Sequence, residues 1–105
     1  MESLNKKQKE SVRLYEIEKK ALYNAISNIK GEVYLFGSRV DDTKKGGDID
    51  ILIFTKDKAF DTSHNVAVKF FMECEEKIDV IVMNPEKLTK EQKAFFNVIE
   101  KIRIQ

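Results

Sequence analysis

The chain of 105 residues contains one cysteine, one proline, four glycines and no long apolar run. The single Cys74 cannot form an internal disulfide, and its place in an apolar helical pattern predicts a buried free thiol. No run approaches the ~20 apolar residues of a membrane-spanning helix, so no membrane span is predicted. The basic N-terminal segment is followed by no apolar stretch and therefore lacks the pattern of a signal peptide. Together these features predict a protein of a reducing compartment, the cytoplasm.

An excess of either charge sign is also missing. The chain has 19 basic and 18 acidic residues, for a net charge of +1. This balance gives no whole-protein argument for nucleic-acid binding, and no basic face studded with aromatic residues stands out. The length predicts one domain, residues 1–105, with one modest hydrophobic core. Internal repeats and low-complexity segments are absent from the sequence.

The hydrophobic pattern predicts an α+β fold. Alternating apolar residues predict strands at 32–36, 48–55 and 77–83. Three- and four-residue spacing predicts helices over 3–29 and 90–102, and a helix that Asp61, Thr62 or Ser63 caps and that runs to about residue 76. Thr89 and Gln92 have the spacing of a capping box for the last helix. The order helix, strand, turn, strand, helix, strand, helix predicts a small mixed β-sheet with flanking helices.

Two carboxylates begin the second predicted strand. Asp48 and Asp50 are two residues apart, so they share one face of the strand at roughly 6.6 Å from each other. Two like charges at this spacing are costly unless a cation lies between them. A hard divalent cation such as Mg²⁺ meets this need, because it takes oxygen ligands and keeps positions open for phosphate and water.

A glycine-containing turn precedes these carboxylates. Gly37 and Ser38 follow an apolar strand, and nine residues separate Ser38 from Asp48. Glycine allows a close approach of the backbone to a ligand, and successive N–H groups at such a turn bind anions. A metal site that faces an anion site is what a nucleoside triphosphate requires. Arg39, a planar cation with several donors, is a candidate to neutralise phosphate charge.

The third predicted strand carries a charge inside an apolar run. Asp79 shares a face with Ile81 and Met83, and a charged residue there requires a partner. The competing interpretations are simple ones: Asp79 is a solvated aspartate at the rim of the sheet, and Asp48 and Asp50 are solvated aspartates after a turn. His64 is interpreted as a surface or capping residue, because no pattern requires it for catalysis.

The pattern Gly37-Ser38-Arg39 followed by Asp48-x-Asp50 resembles the nucleotidyltransferase signature of the DNA polymerase β-like superfamily. In so short a chain it resembles the minimal nucleotidyltransferases that occur beside HEPN-domain toxins in toxin–antitoxin pairs. The resemblance implies a polymerase β palm-like fold, with Asp79 as a third metal ligand beside Asp48 and Asp50. It also implies two Mg²⁺ ions, and β- and γ-phosphates held by Ser38 and by the backbone at Gly37. The implied reaction moves AMP from ATP to a hydroxyl, a tyrosine of the HEPN-type toxin, with this chain as the antitoxin.

Two other functions stay open at this point. One is a non-catalytic antitoxin that binds and masks its toxin, for which the wide apolar surface of the first helix and the aromatic residues of the last would serve. The other is a transferase that modifies RNA or a small molecule. The mild charge balance argues against RNA.

Overall fold

The computed structural model describes residues 13–41 and 47–105. Residues 3–12 of the first predicted helix, and residues 42–46 between the first two predicted strands, therefore lie outside the described part of the chain. The elements in chain order are α1 (Glu16–Ile26), β1 (Glu32–Phe36), a 3₁₀ turn (Gly37–Val40), β2 (Ile49–Phe54), α2 (Ala59–Cys74), β3 (Ile78–Met83), α3 (Lys90–Val98) and β4 (Lys101–Arg103).

The four strands form one mixed sheet in the order β3-β2-β1-β4. β1 runs antiparallel to both β2 and β4, whereas β2 and β3 are parallel and are joined through α2. Parallel neighbours need such a crossover connection, which a helix of this length provides. The predicted α+β fold with a small mixed sheet and flanking helices is confirmed.

The sheet buries both of its faces. On one face, α1 and α2 cover the odd-numbered residues of β1 and β2. This larger core includes Leu22, Ile26, Val33, Leu35, Ile49, Ile51, Ile53, Val66 and Phe70. On the other face, α3 and the residue after it cover a smaller core of Phe36, Leu52, Phe54 and Met83, with Phe95, Phe96 and Ile99 packed against it. Because side chains alternate along a strand, Asp50 lies on the face of α3.

The end of the chain differs from the prediction. The last helix stops at Val98 instead of continuing to residue 102, and Ile99 already has extended backbone angles. Ile102 of β4 instead pairs with Leu35 of β1, and the side chain of Ile104 is 1% exposed. The chain thus adds a fourth strand, because pairing with β1 and burial of Ile104 outweigh the helical spacing of the preceding residues.

Of the two helix caps that the sequence predicts, one is confirmed and the prediction of the other is wrong. The capping box is confirmed, since the Gln92 N–H donates to Thr89 Oγ1 at 3.0 Å and the Thr89 N–H donates to Gln92 Oε1 at 3.1 Å. The cap predicted for α2 is wrong, because that helix already begins at Ala59 and Thr62 lies inside it. Cys74 is a free thiol, as predicted. It is half-buried, whereas the prediction was a buried side chain.

None of the helices in the described ranges is both long and apolar enough to span a membrane.

Candidate active site

The register of two parallel strands brings two carboxylates side by side. Asp50 of β2 pairs with Asp79 of β3, so both side chains lie on the face of the sheet that α3 covers. Asp48 precedes β2 by one residue and is exposed, as is Asp79, whereas Asp50 is half-buried. The structure therefore brings together the three carboxylates that the sequence singled out, at the edge of the smaller core. Their role as metal ligands stays a prediction.

The carboxylates of the candidate site lie close enough for their negative charges to affect one another. Burial raises the pKa of Asp50, and the charges of Asp79 and Asp48 raise it further, as does a hydrogen bond between the carboxyl groups of Asp50 and Asp79. Like charges at close range oppose ionisation, and a cation between them removes that opposition.

The donor chemistry of the three carboxylates fits a hard divalent cation, which prefers oxygen ligands. However, within residues 13–41 and 47–105 no group of three or more histidine, cysteine, aspartate or glutamate side chains has the arrangement of a metal site. The oxygen donors are neighbours without forming a closed ligand set. No coordination geometry is therefore assigned to them.

Gly37 connects the turn after β1 to the carboxylate of Asp50. Its φ of +77° favours glycine, and a Cβ at this position would lie 2.9 Å from Asp50 Oδ2. The backbone of the turn thus approaches the carboxylate more closely than any other residue type would allow. The Gly37 N–H donates to the Glu100 carbonyl at 3.2 Å. This N–H is thus bonded to the segment before β4, and its expected contribution to an anion site stays a prediction.

Ser38 lies between the turn and the first carboxylate. Its hydroxyl donates to the Asp48 carbonyl at 3.4 Å, a weak bond that a stronger acceptor such as a phosphate oxygen can replace. Its own carbonyl accepts from Arg13 Nη2 at 2.5 Å and from the Asp41 N–H at 3.2 Å. Ser38 is thus held through its backbone while its hydroxyl has only a long contact.

Arg39 has a structural role that the sequence analysis missed. Its guanidinium forms a two-pronged ion pair with Glu18 of α1, at 2.8 Å from Nη1 to Oε1 and 3.2 Å from Nη2 to Oε2. It also donates from Nε to the Gly47 carbonyl at 3.0 Å and from Nη1 to the Arg13 carbonyl at 2.9 Å. Four of the five N–H donors of the guanidinium are thus engaged, and the side chain is buried. These bonds hold the guanidinium within the protein, and the expectation that Arg39 neutralises phosphate charge stays a prediction.

Glu18, the buried partner of Arg39, is a residue that the sequence pattern did not single out. It is 1% exposed, and burial acts to raise the pKa of its carboxyl. The hydrogen bonds from Arg39, from the Tyr15 N–H and from Glu76, together with the charge of Arg39, outweigh burial and lower that pKa. A signal was present in the sequence: Glu18 stands four residues from Leu14 and from Leu22, in the middle of the buried stripe of α1.

The glycine-containing turn and the start of β3 each line a separate cavity. Residues of the turn and of the segment before β4 line one of about 300 Å³: Gly37, Ser38, Asp41, Ile99 and Glu100. Residues of α2 and of the start of β3 line another of about 340 Å³: Ala67, Val68, Phe71, Met72, Lys77, Ile78 and Asp79. His64, by contrast, is exposed and stacks on Phe60 at 6.0 Å between ring centroids, as expected of a surface residue.

The chain combines a small mixed sheet with a glycine–serine turn beside paired carboxylates on adjoining strands. This combination of fold and site defines a class of protein. A family model described as polymerase beta, nucleotidyltransferase matches residues 17–99, which is more than half of the chain. The chain therefore belongs to the polymerase beta nucleotidyltransferase family, and the matched range contains Gly37, Ser38 and all three carboxylates. A search of curated proteins gives no match.

Proposed function

We propose that this nucleotidyltransferase moves AMP from ATP to a hydroxyl group of a partner protein, with release of pyrophosphate. The observation that carries the proposal is the placement of Gly37 against the Asp50 carboxylate, with Asp79 on the neighbouring strand and Asp48 two residues away. Asp48, Asp50 and Asp79 would hold divalent cations, for which we propose Mg²⁺, and these ions when bound neutralise the charge of the triphosphate and of the leaving pyrophosphate.

The residues of the chain have distinct roles in this reaction. The hydroxyl of Ser38, which makes only a 3.4 Å contact within the protein, donates to a phosphate oxygen of ATP. The acceptor oxygen bonds to the α-phosphorus while the bond from that phosphorus to the bridging oxygen of pyrophosphate breaks. The hydroxyl proton passes to the carboxylate of Asp79, which is exposed and therefore accessible to an acceptor. Catalysis of this kind depends mostly on positioning and charge neutralisation.

The partner that we propose is a HEPN-type toxin whose tyrosine receives the AMP, with this chain as its antitoxin. The charge balance favours a protein acceptor over RNA. The net charge of +1 gives no electrostatic argument for RNA.

The test is transfer of label from α-³²P-ATP with Mg²⁺ to the protein encoded next to this chain. We expect labelled partner with the wild type, and with Asp50→Asn a loss of more than ~100-fold, because even groups behind the metal ligands contribute 10- to 100-fold. Asp57→Asn is the matched control, an exposed aspartate in the loop after β2. Retained transfer by Asp50→Asn would refute the proposal.

A masking antitoxin without catalysis is the second candidate. It is favoured by apolar side chains that α1 and its N-cap leave in solvent: Tyr15 is 75% exposed and Ile17 is 56% exposed. The same incubation separates the two functions. A stable complex that carries no label and that forms equally well with Asp50→Asn would support masking in place of transfer.

A further inference from the structure

The side chain of Arg39 connects the two segments that carry Ser38 and Asp48. Arg39 follows Ser38 in the 3₁₀ turn after β1, and its Nε donates to the Gly47 carbonyl at 3.0 Å. Gly47 directly precedes Asp48, the first carboxylate of the candidate site. One side chain therefore bonds the segment of the proposed phosphate contact to the segment of a proposed metal ligand.

The Ser38 side chain packs against the backbone of the second segment. The φ of Gly47 is +91°, and a Cβ there would overlap Ser38 Oγ and lie 3.1 Å from Ser38 Cβ. The Ser38 hydroxyl also donates to the Asp48 carbonyl at 3.4 Å. A shift of the Gly47 backbone would therefore move both the Ser38 hydroxyl and Asp48.

The guanidinium of Arg39 is itself held in one orientation. Its two Nη atoms donate to the Glu18 carboxylate at 2.8 and 3.2 Å, and Nη1 also donates to the Arg13 carbonyl at 2.9 Å. The Arg13 N–H returns a bond to the Arg39 carbonyl at 2.9 Å. The side chains of Arg39 and Glu18 are only 8% and 1% exposed, so water competes little for these bonds. Because the guanidinium is planar, fixing its Nη atoms also fixes the direction of Nε.

We infer that Arg39 is a positioning residue for nucleotidyl transfer, and that Glu18 acts on the site through it. The pair sets the separation between the Ser38 hydroxyl and Asp48. This positioning role rests on the proposed function, because the phosphate contact of Ser38 and the metal contact of Asp48 are taken from it. Lysine cannot replace Arg39, since one ammonium group lacks the planar set of N–H donors that reaches three segments of the chain at once.

Direct binding of phosphate by Arg39 is the alternative, and Glu18 distinguishes the two roles. A guanidinium that contacts phosphate keeps its charge when Glu18 is changed, so transfer would be retained. In a positioning role, weakening the bonds from Glu18 releases the guanidinium, and transfer falls as it does when Arg39 is changed.

The first test is the kinetics of AMP transfer to the partner protein. Arg39→Lys and Glu18→Gln are each expected to lower kcat/KM about 10- to 100-fold, as is typical for groups behind the metal ligands. The loss should be mainly in kcat, because misplaced groups still bind ATP but align it poorly. Arg103→Lys and Glu16→Gln are the matched controls, since both side chains are more than half exposed, and they should leave transfer unchanged. Loss in Arg39→Lys with full transfer in Glu18→Gln would overturn the positioning role.

A second variant separates positioning from folding. Each single change leaves a buried polar group without its partner and lowers stability, whereas Glu18→Met combined with Arg39→Met replaces the whole ion pair by apolar side chains. We expect the Tm of this double variant to return to that of the wild type, because such replacements are often neutral or stabilising. Its kcat/KM should stay about 10- to 100-fold low, since no side chain then bonds to Gly47. Recovery of transfer together with Tm would overturn the inference, because the pair would then serve folding alone.

A third readout needs neither metal nor nucleotide. The N–H groups of Arg13 and Asp41 donate to the carbonyls of Arg39 and Ser38, so their hydrogen exchange reports how firmly the turn is held. In the double variant we expect this exchange, followed by NMR, to be about tenfold faster. The Gln92 N–H, which caps α3, is the control and should exchange at an unchanged rate. Unchanged exchange at both N–H groups of the turn would overturn the inference.

These readouts separate failure of the positioning role from failure of the proposed function. An active wild type whose double variant transfers equally well would overturn the positioning role and leave the transferase intact. If the wild type transfers nothing, the proposed function is refuted, and binding of Mg²⁺ with a non-hydrolysable ATP analogue then decides the inference. Affinity about tenfold lower in the double variant would support positioning of a nucleotide site, and equal affinity would overturn it.

Discussion

Gly37 combines two constraints in one residue. Its φ of +77° lies in the left-handed region, and a methyl group there would lie 2.9 Å from Asp50 Oδ2. A side chain at this position therefore strains the backbone and also displaces a carboxylate of the candidate site. Few single residues of the chain connect the fold and the proposed chemistry so directly.

Gly37→Ala is expected to lower the free energy of unfolding by about 1–3 kcal/mol, because a residue other than glycine is held in an unfavourable backbone region. The measurement is urea unfolding followed by circular dichroism. Ser38→Ala in the same turn is the control, which should change stability by less than about 0.5 kcal/mol because it adds no atoms to the turn. Equal stability of Gly37→Ala and the wild type would show that the turn relaxes freely.

Glu18 and Glu76 form a carboxyl pair that responds to pH. The hydrogen bond to Glu18, and then burial, raise the pKa of Glu76, whereas the pKa of Glu18 is lowered. A raised pKa means that the contribution of Glu76 to stability is complete at low pH and is lost as pH rises through the raised value. The lowered pKa of Glu18 has the opposite sign, since its contribution is lost as pH falls through the lowered value.

Glu76→Gln is therefore expected to be more stable than the wild type at pH 8, with a smaller difference at pH 5. The amide stays neutral at every pH and keeps a donor for the Glu18 carboxylate. Urea unfolding at pH 5, 6.5 and 8 measures the difference, and Glu75→Gln, an exposed neighbour, is the control. A pH-independent difference would contradict the shared hydrogen bond.

At the level of elements, the strands could be predicted from the sequence and the contacts between segments could not. Period-two alternation placed Asp50 and Asp79 correctly on one face, because that face follows from covalent geometry alone. The partner of Arg39 was missed since Glu18 is 21 residues away, and no local pattern joins them. β4 was missed because Phe95, Ile99 and Ile102 have helical spacing, and only the pairing of Ile102 with Leu35 decides against it.

The short strand β4 depends on burial beyond its own end. Ile104 is 1% exposed within the larger core, and the Gln105 side chain donates to the carbonyls of Ile26 and Ile29. Ile104→Ala is expected to cost about 2–5 kcal/mol, as is usual for a buried isoleucine. Val98→Ala, at a position 79% exposed, should cost less than about 0.5 kcal/mol in the same urea titration. A small effect of Ile104→Ala would mean that the β4 segment contributes little to the core.

At the scale of the whole molecule, the two faces of the sheet differ in the side chains that they carry. The larger core under α1 and α2 contains no carboxylate of the candidate site, whereas the face under α3 carries both an aromatic core and Asp50. On that second face Asp50 and Asp79 stand directly opposite each other, and like charges so placed destabilise a sheet. The two opposed carboxylates therefore lower the stability of the domain at the place where the proposed ligand binds.

This conflict predicts how the whole domain responds to ligand. With Mg²⁺ and a non-hydrolysable ATP analogue at about 100 times Kd, linkage adds about 2.7 kcal/mol to the free energy of unfolding. For a domain of this size that raises Tm by roughly 10 °C or more. Asp50→Asn removes one of the opposed charges, so we expect it to be more stable than the wild type without ligand and to gain little from the addition. Calorimetry in EDTA and in Mg²⁺ with the analogue measures both effects, with Asp57→Asn as the control. If the wild type and Asp50→Asn gain equally, the carboxylates do not bind the metal–nucleotide complex, and the basis for the proposed transfer is lost.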